Sequence, residues 1–276
     1  MSTNGRRGAM RHEPMFNAPG VVIGLAVLLI AIYALFQRAN PLLQDLVIRD
    51  FAFVPGRLTV SIWPARAIDI LVRAHRDGEA LAQARAMRDL HVLGGGSKLW
   101  TLLTYGLLHG SWMHVLLNSV WLVAFGPPVA RRSGAANFLT FMAVTAVAAA
   151  LAQWAASPME FAPLIGASGA VSGLMGAVTR FMFQPGAPLG PRSTHRFDVE
   201  TAPRATLAET LTDGRTLVFI GIWMATNFVF GAFGQVLGLS DMPVAWVAHV
   251  GGFFAGLALF PLFDRSGRAA MQGFAG

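Results

Sequence analysis

The sequence has no cysteine and a single lysine, Lys98. Without thiols there is no disulfide, no thiolate nucleophile and no cysteine-ligated metal. Charge is scarce as well: 13% of the 276 residues are charged, while 54% are hydrophobic. A soluble domain carries about a quarter charged residues, so this shortage argues for a membrane protein. The few charges lean positive, to +7. A basic excess suits either nucleic acid or an anionic lipid surface. Here the arginines lie between apolar runs, which favours the lipid bilayer as partner and no nucleic acid. The arginine and alanine bias fits a GC-rich bacterial coding sequence, so the expected location is the bacterial inner (plasma) membrane.

A membrane-crossing helix needs about 20 mostly apolar residues. Residues 16–36 carry no charge and form the first expected span. This run is longer than the apolar core of a signal peptide, and it is read as a mature helix. Residues 37–98 turn polar. Residues 99–130 are again free of Asp, Glu, Lys and Arg. That is too long for one crossing, so the second span is set at 112–130 and the part before it lies at the interface or re-enters. Further spans are expected at 134–159, 161–179, 216–240 and 242–263, with a polar loop over 184–214. The whole reads as an all-α membrane protein of six transmembrane helices, with a long loop between the first two. Within that loop, residues 65–90 have an amphipathic pattern, including Ile68, Leu71, Leu81 and Leu90. It suits a lipid- or core-facing helix and an ordinary solvated helix equally well.

Arginine placement sets the expected topology, because short cytoplasmic loops collect Lys and Arg. Arg6, Arg7 and Arg11 precede the first span, Arg131 and Arg132 follow the second, and Arg265 and Arg268 follow the sixth. The short loops of opposite parity carry Glu160 and Asp241 instead. The expectation is a cytoplasmic tail over 1–15, a membrane domain over 16–263 with 37–98 as an extracytoplasmic insertion, and a cytoplasmic tail over 264–276.

Polar residues inside spans are costly and mark function by default. His114 and Asn118 fall in the second span, Ser168 at the head of the fourth, and His249 in the sixth. Each lies within the first turns of an even-numbered span, so all four share one depth, a little below the outer surface. Ser168 stands where a loop becomes a helix, between Gly166 and Gly169. Backbone N–H groups there lack intrahelical partners and can stabilise an oxyanion. Serine needs an adjacent base, and His249 lies at matching depth. His114 and Asn118 are four apart and share a helix face. The small-xxx-small pairs Gly169/Gly173 and Gly252/Gly256 would let spans four and six approach closely. Each feature alone has a plainer meaning: an intramembrane serine usually bonds a neighbouring helix, a histidine can relay protons or ligate haem, and an asparagine can tie helices together. A transporter would be expected to show inverted repeats, and the sequence has none evident. Two histidines without a nearby carboxylate or cysteine make a poor zinc set, so no metal and no cofactor are expected.

Three segments together resemble the rhomboid family of intramembrane serine proteases, over about residues 99–263. They are His109-Gly110-Ser111-Trp112-Met113-His114-Val115-Leu116-Leu117-Asn118, Gly166-Ala167-Ser168-Gly169-Ala170, and Ala248-His249-Val250-Gly251-Gly252-Phe253-Phe254-Ala255-Gly256. The resemblance implies a serine endopeptidase cleaving transmembrane segments of protein substrates. It implies a Ser168–His249 dyad without a carboxylate, and an oxyanion hole of His114, Asn118 and the Ser168 N–H. It associates His109 and Gly166 with the site. It makes span five, with Trp223, Phe228, Phe230 and Phe233, a lateral gate, and residues 237–244 a cap. Non-proteolytic relatives that bind membrane helices typically lack the Ser or the His, and this chain keeps both. Two positions depart from the family pattern. Trp100-Thr101 replaces a frequent Trp-Arg, and Ser172 stands where an aromatic ring often stacks on the base. What orients His249 is therefore open, and the sequence does not reveal an oligomeric state.

Overall fold

A computed structural model describes residues 18–69, 72, 96–190, 199–200, 202–233 and 245–265. Among them there are helices and one isolated β-bridge, between Phe53 and Leu164. The helices are α1 (Gly20–Arg38), α2 (Pro41–Phe51), α3 (Pro55–Ile62), α4 (Thr101–Thr104, continued by a 3₁₀ turn over Tyr105–Leu107), α5 (Trp112–Ser133), α6 (Ala135–Ala156), α7 (Ser168–Val178), α8 (Leu207–Thr212), α9 (Gly214–Phe233) and α10 (Trp246–Phe263). Residues 65–69 are also helical, but most of the amphipathic stretch expected over 65–90 lies outside the described residues, as does the expected cap over 237–244.

Five helices are long and apolar enough to cross a membrane: α1, α5, α6, α9 and α10. The fourth span differs from expectation. Only Ser168–Val178 is helical, 11 residues, and 161–167 run as irregular chain. At 1.5 Å per residue, α7 is about 16 Å long, roughly half the hydrocarbon thickness. Pro163 and the positive φ of Gly166 (117°) interrupt any helix there. Ser168 therefore starts a helix inside the bundle rather than at its surface.

α7 is the centre of the fold. Every residue from Gly169 to Val178 is buried, and α5, α6 and α10 surround it. Its contact with α10 is backbone on backbone. A Cβ on Gly252 would collide with the Gly169 carbonyl, and one on Gly256 with the Gly173 carbonyl. The two small-xxx-small pairs thus face each other directly. α6 closes the other side of α7, where a Cβ on Gly169 would come within 2.5 Å of the Ala149 methyl. α1 packs on α5, with Tyr33 edge-on to Trp112 at 4.9 Å.

The C-terminal ends of α5 and α10 are tied by buried charge. Arg132 forks onto Asp264 (Nη2 to Oδ2 2.8 Å) and donates to the carbonyls of Val199 and Ala202, both at 2.8 Å. Arg180, just past α7, donates to the carbonyls of Ala205 and Leu257. The loop before α8 is thereby fixed to the bundle.

The described part of the 37–98 insertion is docked. Phe53 and Leu164 exchange backbone hydrogen bonds at 3.2 and 2.7 Å, Gly56 N–H donates to the Glu160 carbonyl at 2.8 Å, and Trp63 stacks on Trp154. Lys98 pairs with Asp50 (2.6 Å), and Trp100 donates its indole N–H to the Asp50 carbonyl. Thr101 is buried and donates to the Lys98 carbonyl at 2.7 Å. Trp100-Thr101 thus joins a compact local clamp on Asp50 whose arginine, Arg49, comes from α2. Hydrogen bonds from Arg49 and then Lys98 hold the Asp50 carboxyl well below the usual carboxylate range, at about 2.

Two outcomes follow from this packing. Gly252→Val forces α7 and α10 apart, and overpacking of this kind costs about 1–3 kcal/mol; thermal denaturation of the purified protein checks it, and an unchanged midpoint contradicts the close approach. Asp50→Asn is expected to melt slightly below wild type near neutral pH, by a small margin because the pair is partly exposed. A lowered carboxylate pKa stabilises the fold above the unfolded value of about 4 and loses that effect as pH falls toward 2. The margin between the two proteins should therefore shrink over that window, and a margin that persists to its lower end excludes the ion pair as its source.

Candidate active site

Ser111 caps α5 by accepting the His114 N–H at 3.1 Å. That cap fixes where α5 begins, and so sets His114 in its first turn and Asn118 one turn on. Ser168 opens α7, and His249 lies in the first turn of α10. The N-terminal ends of three helices therefore converge, at the pole opposite the buried arginines.

The convergence is close. His249 Nε2 lies 2.7 Å from Ser168 Oγ, a full hydrogen bond. Both side chains are half-buried. The glycine contact between α7 and α10 falls one residue after Ser168 and three after His249, so it sets the separation that this bond needs.

The segment before Ser168 is held from three sides. The Gly166 N–H donates to the Tyr105 carbonyl at 3.0 Å, and Leu164 is bridged to Phe53. The Ala167 N–H reaches Nε2 of the buried His109 at 3.5 Å. His109 lies edge-on to His114, ring centroids 5.0 Å apart. Gly166 has φ 117°, which L side chains rarely adopt. A Cβ built there would stand 2.6 Å from His114 Nε2 and 3.7 Å from Asn118 Nδ2. The space left by that missing side chain is thus filled by the His114 ring, with the Asn118 amide beside it. Ser168, His249, His114, Asn118, His109 and Gly166 all belong to one locus.

One member escaped the sequence reading. Asn227, on α9, has its Oδ1 2.7 Å from His249 Nδ1. Its Nδ2 donates to the Trp223 carbonyl one turn back, at 2.9 Å. Ser172 is buried, and the stacked aromatic pair of this region is Trp223 on Phe253 (4.4 Å, 22°), one turn along α10 from His249. Among the described residues, His249 is therefore held by an amide and not stacked by a ring. Among the described residues, no cluster of three His, Cys, Asp or Glu side chains has metal-binding geometry.

Comparison with known proteins agrees with this architecture. A rhomboid domain model matches residues 96–265. The rhomboid protease GlpG of Pectobacterium atrosepticum is 29% identical over 163 residues, which cover 59% of this chain and 48% of that protein. GlpG of Yersinia pestis is 28% identical over 162 residues, 59% of this chain and 47% of that protein. A Bacillus subtilis rhomboid protein, YdcA, is 35% identical over 77 residues, 28% of this chain and 38% of that protein. The chain spans about half or less of the length of these curated relatives. The matched residues begin near the Lys98 clamp, end at Asp264 and Arg265, and enclose every side chain of the converged site. The chain belongs to the rhomboid family.

Proposed function

We propose that this protein is an intramembrane serine endopeptidase that cleaves transmembrane segments of other membrane proteins. The observation that carries the reading is the 2.7 Å hydrogen bond between Ser168 Oγ and His249 Nε2, at the buried start of a helix. In the reaction, His249 takes the Ser168 proton as Oγ attacks the scissile carbonyl, then protonates the leaving amine; water releases the acyl-enzyme by the same route. The developing oxyanion is received at the head of α7, where backbone N–H groups lack intrahelical partners, and by His114 and Asn118 from α5. One such donor is worth roughly 3 kcal/mol. The mechanism calls on no metal and no cofactor.

The positive-inside pattern supports both termini, residues 1–15 and 264–276, facing the cytoplasm of a bacterial cell. The site then opens toward the outer side. A substrate helix must partly unwind to reach Ser168, because its own hydrogen bonds shield the scissile bond. The partners are the bilayer and transmembrane substrates, without nucleic acid.

Two tests address the roles. Ser168→Ala and His249→Ala are each expected to abolish cleavage of a transmembrane reporter and labelling by a fluorophosphonate probe; wild-type-like cleavage by either variant would sink the dyad. Gly166→Ala places a methyl where His114 Nε2 now lies. It should cut kcat by roughly 10²-fold, as expected for one oxyanion donor displaced, while Ser168 is still labelled. A Gly166→Ala enzyme within about twofold of wild type would remove His114 from the oxyanion assignment.

A further inference from the structure

We infer that Asn227 is the positioning residue of the dyad, holding His249 in the one tautomer that can act as a base. The inference rests on the Ser168–His249 reading and extends it to a residue on a different helix.

The argument is a chain of forced donors and acceptors. The Trp223 carbonyl can only accept, so the Asn227 end facing it, 2.9 Å away, must be the NH₂ group. That leaves Oδ1 toward His249, at 2.7 Å. A carbonyl oxygen cannot donate, so the shared proton sits on His249 Nδ1. A neutral imidazole protonated at Nδ1 carries its lone pair on Nε2, and Nε2 faces Ser168 Oγ at 2.7 Å. Ser168 then donates and is ready to lose its proton. Turning the amide over would set two carbonyl oxygens against each other and place the proton on Nε2, where it blocks the transfer. One backbone carbonyl of α9 thus selects the productive state.

Among the described residues, the groups facing His249 include no other orienter. α7 presents Ser168, and α5 brings His114 and Asn118 against Gly166, two residues before it. α6 meets this turn of α10 with Ala148, Ala149 and Ala152. α9 presents Asn227 alone among hydrogen-bonding side chains. α9 is also attached along one narrow stripe. Trp223 is buried on Phe253, while Val218, Ile222, Phe228 and Val229 are exposed. The contact that orients the base therefore depends on α9 lying against α10.

The test uses the full-length protein, a fluorogenic transmembrane reporter, and the variants Asn227→Leu and Asn227→Asp. Asn227→Leu keeps the bulk and removes the acceptor. It should lower kcat by roughly 10²-fold, the scale of a misoriented catalytic group, with KM within about twofold. Asn227→Asp restores an acceptor and adds a charge that favours the imidazolium. Its kcat at alkaline pH should recover to within about tenfold of wild type, with the acid limb of the kcat profile moved to higher pH. Helix glue alone predicts neither the recovery nor the moved limb, and equal losses in both variants overturn the proposal. So does wild-type activity in Asn227→Leu. ¹⁵N spectra of His249 report the tautomer whether or not the reporter is cut. Wild type should show a protonated Nδ1 and Asn227→Leu a mixture. A wild-type Nε2–H tautomer overturns the proposal, even if Ser168 labelling shows the dyad to be sound. Loss of Ser168 labelling and cleavage in wild type, beside a protonated Nδ1, would count against the dyad and not against the positioning.

Discussion

The site depends on how closely two helices can approach. α7 and α10 meet with the Gly169 and Gly173 carbonyls against Gly252 and Gly256, with no side chain between them. A methyl at either α10 position would have to displace backbone, which has no rotamer to yield. Packed interiors do not absorb such changes cheaply. In a bilayer, where helix association draws on close packing rather than on the hydrophobic effect, this contact both holds the bundle and fixes the Ser168–His249 distance. The same glycines therefore serve stability and geometry at once.

The loop that delivers Ser168 depends on a different support. Residues 161–167 leave backbone groups without helical partners inside an apolar bundle, where unmet groups are expensive. The fold meets that demand from three directions: Phe53 from the insertion, Tyr105 from the turn after α4, and His109 from the start of the second-span motif. The insertion is thus a prop for the segment that ends at Ser168, and the Asp50–Lys98 clamp fastens that prop to α4. His109 finds its part here too, as a brace on Ala167.

Much of this was legible in the sequence, because charge and hydrophobic length are one-dimensional signals. The five long apolar helices, the meeting of His114, Asn118, Ser168 and His249, and the paired glycines all follow from spacing. The start of α7 was less legible: residues 161–167 are as apolar as a helix, and only Pro163 and Gly166 mark the break. Asn227 was missed for a reason of direction. Depth was read from the first turns of even spans, which begin on the outer side. An odd span reaches the same depth in its later turns, and Asn227 is 13 residues into α9. Counted from both ends, the spans also offer Asn227, Gln235 and Gln153. The frequent aromatic at the Ser172 position points to stacking, whereas here His249 is held by a hydrogen bond from another helix.

The two poles of the bundle divide the labour. At one pole Arg132, Arg180 and Asp264 are almost fully buried and saturated with partners. Buried ion pairs add little net stability, but breaking one is costly, so this end resists rearrangement and holds α5, α7 and α10 in register. Helices fixed at that end carry His114, Ser168 and His249 at the other, where these side chains stay half-buried. α9 is the exception. It brings Asn227 to the site without sharing the ionic anchor, and packs through Trp223 on Phe253, Phe219 on Phe125 and Phe183, and Phe228 on Trp246. Three helices thus bring His114, Ser168 and His249 together, and a fourth, more loosely held, supplies the hydrogen-bond partner of His249 Nδ1.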